Sequence, residues 1–380
     1  MKIGNLIYPW RDALRVACVA LTLTSPACTE SGANGDGSDD ASEDEDGGMM
    51  ALPTGPEVMD NTINNTIVPD FQAFEAATEA MQAEVDTFCG APSPETLQAT
   101  QDSWRALSEA WNAVVPYNLG PLDDDFIIPK IIFVESMRQR GDDYTQTVRD
   151  NLLAALEGDE TLDAAYFEGL NFNRVGLLAA EVLVFEDSRE GNSTELADVL
   201  SDFVEQPRKC TYLQGVTTLL VTVADEVEGG WSVSFQEGEA FRDTMLGTEL
   251  ADGAEPVAGL LIALQEYLLY LKDRKLEGIL DARLSGHFYP NVSAMLDGFE
   301  RLLAQPEPED AVGILDFMDA HGFEDDADTV RANLEAAKAA AAAEDREALA
   351  AAVGLLDGNV KREIPDALGV DLGLTFTDGD

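Results

Sequence analysis

Basic charge is what this sequence has least of relative to its opposite. Lysine and arginine number 23 against 73 aspartates and glutamates, a formal net charge of −50 over 380 residues. A surface of that sign repels phosphate backbones and anionic lipid heads, so nucleic acid is excluded as a partner. The acidic excess reads as a solvated face; it also attracts cations, but charge alone names no site. Histidine is scarcer still, with only His287 and His321, which starves any mechanism that needs several imidazoles. HExxH, GxSxG, a P-loop and a GxGxxG opening a helix are all missing. The four cysteines show neither CxxC nor a Cys/His zinc spacing. Alternating β patterns with hairpin turns are scarce. No segment reaches about 18 uninterrupted apolar residues, the run a spanning helix needs.

What is present is enough apolar residue, 45% of the chain, for a sizeable core. The N-terminus reads as an export signal, residues 1–27. Lys2, Arg11 and Arg15 precede the short apolar run "VACVALTLT", and "SPAC" ends at Cys28. This is similar to a lipoprotein signal, with Cys28 as the lipidated residue, although Ser25 stands where Leu is usual. "SPA" is also a small-x-small site for ordinary cleavage, which would make the protein secreted. Thr29 to Gly48 holds no apolar residue larger than Ala and no basic one, so it cannot bury surface. Residues 28–55 are therefore expected to be a disordered acidic tether holding the protein at a membrane by a lipid anchor. Cys18 would leave with the signal. Cys89 and Cys210 remain, and in an exported protein they are expected to form a disulfide, the alternative being two buried free thiols.

The rest reads as helices. In "PETLQATQDSWRALSEAWNAVV", Ser93 is the expected N-cap and Pro94 the first helical residue. Leu97, Trp104, Leu107, Trp111 and Val114 share one stripe, more often core than ligand pocket. "CTYLQGVTTLLVTVADEVEGGW" is a helix expected to end at Gly229-Gly230, and Ala254 to Leu280 is long and strongly apolar. The expected fold is all-α: two antiparallel helical bundles, 56–230 and 231–380.

The stretch "GLLAAEVLVF", Gly176 to Phe185, is apolar or Gly at every position except Glu181. A buried unpaired carboxylate costs several kcal/mol, so Glu181 needs a cationic partner, a proton or a water cavity. Arg105 and Arg174 are the candidate partners; the plain alternative is a salt bridge between two helices. "HGFE", His321 to Glu324, matches His-x-x-Glu literally, but Gly322 suggests a helix end that splays the pair apart. His287, in "LSGHFYP", reads as a loop or interface histidine that could fold back toward Glu181.

In order, "SWRALSEAWNAVVPYNLGP", "GLLAAEVLVF", "RKCTYLQGVTTLLVTVADEVEGGW", "YLKDRKLEGIL" and "LSGHFYPNVSAMLDGFERLL" resemble the blocks of the imelysin-like family, peptidase family M75. The resemblance implies a two-part all-helical fold in a cell-envelope protein, an association with iron uptake or regulation, and a peptidase activity assigned to some members. The family hallmark is Gly-x-His-x-x-Glu. Gly176 and Glu181 carry over; Leu178 stands in place of the histidine. His and Glu three apart share a helix face and could jointly hold iron or zinc, whereas leucine ligates nothing. Three readings follow. The first is a non-catalytic binding lipoprotein with a degenerate metal site and an envelope-protein partner or small ligand. The second is a metal-binding protein of iron acquisition, with Glu181 as ligand. The third is a metallopeptidase, which needs about three ligands and an open position.

Overall fold

The computed structural model describes residues 52–372, apart from 126–128, 139–141, 190, 251–253, 279–280, 306–307 and 309–310. The expected signal 1–27, the lipidation candidate Cys28 and the tether up to residue 51 lie outside the described residues. Among the described residues there are helices and no strands.

The first helix, α1 (Gly55–Asn61), starts on a reciprocal cap in which Thr54 and Glu57 each bond the other's backbone N–H. A π turn (Thr62–Ile67) carries it into α2 (Val68–Gly90). Ser93 caps α3 (Pro94–Val114), its Oγ accepting from Thr96 N at 3.2 Å, as the sequence leads one to expect. Short elements follow: a 3₁₀ turn (Gly120–Leu122), α4 (Lys130–Val134), α5 (Thr145–Glu157) and α6 (Ala164–Glu168). Then come α7 (Gly176–Phe185), α8 (Leu196–Glu205) and α9 (Pro207–Ser232).

Gly229 and Gly230 do not end α9, contrary to expectation; the helix runs on to Ser232. Gly230 serves close approach instead, because a Cβ there would come within 2.8 Å of the Pro121 ring in the 3₁₀ turn. Beyond α10 (Phe241–Met245) lies α11 (Pro256–Tyr270). A π turn (Leu271–Lys275) joins it to α12 (Leu276–Gly278). The chain then forms α13 (Phe288–Ala304) and α14 (Ile314–Ala320). The alanine-rich run breaks into a hairpin, α15 (Glu324–Ala342) and α16 (Arg346–Lys361), with Glu344 left-handed at φ 55°. The last helix is α17 (Glu363–Leu368).

Long helices pack in antiparallel contact. α2 lies against both α3 and α9, and the disulfide Cys89–Cys210 ties the end of α2 to the start of α9. α13 lies along α3, and the α15–α16 hairpin covers α13 and α11. Trp104, Trp111 and Trp231 are each at most 1% exposed, so the tryptophan stripe of α3 is core. Phe71 stacks on Trp231 and Phe74 packs on Trp111. The described residues fall in one compact unit, and helices on both sides of position 230 contribute to one apolar cluster.

Candidate functional site

α7 is apolar around its whole circumference, so no face of it favours water and it is buried by its neighbours. Every residue from Gly176 to Phe185 is buried except Leu178, which is half-buried. Two side chains of α3 hang on its backbone: Trp104 Nε1 donates to Leu177 O at 3.1 Å, and Gln101 Nε2 to Val184 O at 2.8 Å. Gly176 opens the helix at φ 78°, and a Cβ there would run into the carbonyl oxygens of Phe133 and Val134. Glycine is required on both counts, left-handed backbone and close approach.

Glu181 sits in the middle of this helix at 1% exposure. Its partners are backbone amides, not an arginine. Oε1 accepts from Leu284 N at 3.0 Å and from Ser285 N at 2.9 Å, in the turn that leads into α13. The Ser285 hydroxyl lies beside the same carboxylate and donates to Ala282 O at 3.0 Å. Arg105 is turned away, its Nη1 2.6 Å from Asp102 and its guanidinium over the Phe185 ring. The Arg174 carbonyl accepts from Tyr212 Oη at 2.8 Å. Among the described residues no Lys or Arg nitrogen is within ion-pair distance of Glu181. Burial pushes the Glu181 carboxyl up to about 7, and the negative charge of Asp281 adds to this; the amides of Ser285 and Leu284 pull the other way. At neutral pH the group is divided between neutral and charged forms.

The same turn carries a second polar centre. Lys275, at 1% exposure, points inward from the π turn. Its Nζ lies 3.0 Å from Glu135 Oε1, 3.1 Å from Asp281 Oδ2 and 3.3 Å from Asn112 Oδ1. Glu135 also accepts from Trp111 Nε1 at 2.8 Å and from Tyr270 Oη at 3.0 Å. Tyr267 Oη donates to Asn112 Oδ1 at 3.3 Å. Burial pulls the ammonium down, but Asp281 and Glu135 outweigh it and hold Lys275 well above the ordinary lysine range. Near this centre, Asn291 Nδ2 donates to Ser108 Oγ at 2.8 Å. His287 Nε2 is 2.6 Å from Glu109 Oε1, so the histidine is engaged with α3 rather than folded toward Glu181.

A third group closes the C-terminal end of α7. Arg149 grips Glu186 with two hydrogen bonds, and Lys209, fully buried, donates to Asp202 at 2.7 Å and to Glu186 O at 2.8 Å. Burial lowers Lys209, and Asp202 restrains the shift.

Elsewhere, His321 and Glu324 stand on different helices, with Gly322 left-handed between them at φ 87°; the His321 ring stacks on Phe317. Among the described residues, three carboxylates close enough for one ion occur at Glu75, Glu79 and Asp225, on the outer faces of α2 and α9. Burial and the hydrogen bond shared with Asp225 raise Glu75 to about 6. The residues missed from the sequence are Glu135, Lys275, Asp281 and Asn112. The available signal was a lysine beside an apolar helix, but in "LKDRK" it is hidden among three other charges.

The Imelysin family model (peptidase M75) matches residues 67–371 of the chain. No curated protein is significantly similar to it in sequence. Two solved structures share its fold. An imelysin-like protein from Psychrobacter arcticum 273-4 aligns with a TM-score of 0.65 at 16% identity, covering 86% of this chain and 100% of that one. A candidate iron-regulated protein A precursor from Parabacteroides distasonis ATCC 8503 aligns with a TM-score of 0.58 at 14% identity, covering 84% and 97%.

Proposed function

The chain belongs to the Imelysin family, peptidase M75, and from that premise we propose that it is a non-catalytic binding protein of the bacterial cell envelope with a decayed metal motif. The observation that carries this reading is the engagement of Glu181. Its carboxylate is already met by the amides of Leu284 and Ser285, and the half-buried Leu178 stands one turn away where an imidazole would be needed. Iron and zinc call for several N, S or O ligands around one point. Glu181 supplies one, and it is partly neutral at pH 7. The residues present therefore do not fit a resident metal at the motif, and no hydrolytic step is derived through one. In this reading Cys28 anchors the protein to a membrane by lipid, and the acidic surface faces an envelope-protein partner or small ligand. No helix among the described residues is long and apolar enough to cross a membrane, which suits anchoring by lipid.

A second reading, metal binding in iron acquisition, draws on the iron-regulated description of the Parabacteroides protein and on the Glu75, Glu79 and Asp225 oxygens, which lie within 4.8 Å of one another. Anaerobic Fe(II) and Zn(II) calorimetry on the parent chain, Glu181→Gln and Leu178→His separates the two. The expected result is no stoichiometric binding that depends on Glu181 in the parent, and binding gained in Leu178→His. Tight binding by the parent that is lost in Glu181→Gln would overturn the reading and put the metal-binding function first.

A further inference from the structure

Lys275 stands in a cage of oxygens drawn from three separate parts of the chain. Asn112 comes from the last turn of α3, Glu135 from the end of α4, and Asp281 from the turn after α12. The three oxygens converge on one point, the lysine Nζ, at 3.0, 3.3 and 3.1 Å for Glu135, Asn112 and Asp281. An ammonium has three N–H donors and no acceptor, so each oxygen can receive one. Two carboxylates and an amide oxygen around one point are also the donor set of a hard divalent cation. The cage is rigid. Trp111 and Tyr270 fix Glu135, Tyr267 fixes Asn112, and the rings of Tyr267 and Tyr270 flank the ammonium at 5.9 and 5.7 Å. One lysine charge answers two carboxylates, leaving the cage net negative. Asp281 is 16% exposed, so the cage reaches solvent through it.

We propose that Lys275 is a tethered cation, and that the Glu135–Asp281–Asn112 cage is a latent divalent-cation site that this lysine keeps closed. Ca²⁺ and Mn²⁺ have the ligand preference the cage offers. Whatever fills the cage also fixes Asp281, and with it the turn whose amides meet Glu181. The proposal uses none of the motif residues Gly176, Leu178 and Glu181, so it stands apart from the reading of function given above.

Lys275→Ala, in the otherwise complete chain, removes the tethered charge and opens room for an ion. Calorimetry and thermal unfolding with Ca²⁺ and with Mn²⁺ are compared for the parent, Lys275→Ala and Lys275→Ala/Asp281→Asn. The parent is expected to show no ion dependence at this cage. Lys275→Ala is expected to unfold at a lower temperature, to bind one ion per chain and to regain thermal stability with it. Asp281→Asn should weaken that binding by roughly tenfold or more, the loss of one ligand charge. Glu181→Gln should leave the ion binding of Lys275→Ala in place, which separates this site from the motif. A folded Lys275→Ala that binds neither ion, or binds them equally with Asp281→Asn, overturns the proposal. If Lys275→Ala does not fold alone, it is refolded with the ion and with a chelator. Recovery with the ion only is the expected result, and recovery in neither overturns the proposal.

Discussion

Replacing Glu181 by Gln should stabilise the protein, and the gain should depend on pH. Gln keeps the Oε1 acceptor for the amides of Leu284 and Ser285 but carries no charge. In the folded chain the carboxyl titrates near 7, against an ordinary value of 4.5. The proton is therefore held more tightly in the native state than in the unfolded one. Below the lower value both states are protonated and the shift has no effect. As pH rises from there to about 7, the unfolded chain ionises first and folding is progressively disfavoured. Above 7 the full penalty is present, roughly 3 kcal/mol for a shift of this size at 1.36 kcal/mol per pH unit. The advantage of Glu181→Gln over the parent, measured by urea unfolding with the disulfide intact, should grow from about 1 kcal/mol at pH 5 to about 3 kcal/mol at pH 8. Other titrating groups are common to both proteins and cancel in the difference. A difference that stays flat across this range would refute the reasoning, because Glu181 would then be an ordinary anion held by its two amides.

Gly176→Ala should lower stability by roughly 3 kcal/mol or more, since it adds a left-handed alanine and a clash with two carbonyls; thermal unfolding reads it. Lys209→Met leaves Asp202 buried with only Ser188 as its polar partner, for a loss of roughly 3–5 kcal/mol, part of which Asp202→Asn should recover in a double-mutant cycle. Cys89→Ser/Cys210→Ser opens a link across 121 residues and should cost about 4–5 kcal/mol by loop entropy, matched by adding reductant to the parent.

Much of this was legible in the sequence because the cause was local. Ser93 and Pro94 start α3 by capping chemistry that needs no tertiary partner. The unbroken apolar run of α7 could only be a buried helix. An exported chain with two remaining cysteines had one pairing to make. The partner of Glu181 was not legible, because it is a pair of backbone amides 103 and 104 residues away, and backbone leaves no mark in residue identity. Lys275 was hidden for a related reason. A straight helix through "YLLYLKDRK" would set its charges by a regular 3.6-residue period, whereas the π turn at Leu271–Lys275 shifts that register and carries one lysine inside. Gly229-Gly230 misled because glycine marks close packing as readily as it marks a helix end.

The polar centre is also the part of the chain with the longest reach. Lys275 and Asn112 are 163 residues apart, Asn291 and Ser108 are 183 apart, and each contact must wait for the intervening chain to be made and brought back. Loop closure of that length is slow, so the centre should form late in folding, after α2, α3 and α9 have found one another. The Cys89–Cys210 bridge changes this timing. Once closed, it roughly halves the shortest path along the chain between Asn112 and Lys275 and so lowers the entropy of bringing them together. The bridge then acts as a kinetic shortcut for a site it does not touch, and chains oxidised before refolding should complete Glu181's clamp faster than chains refolded reduced.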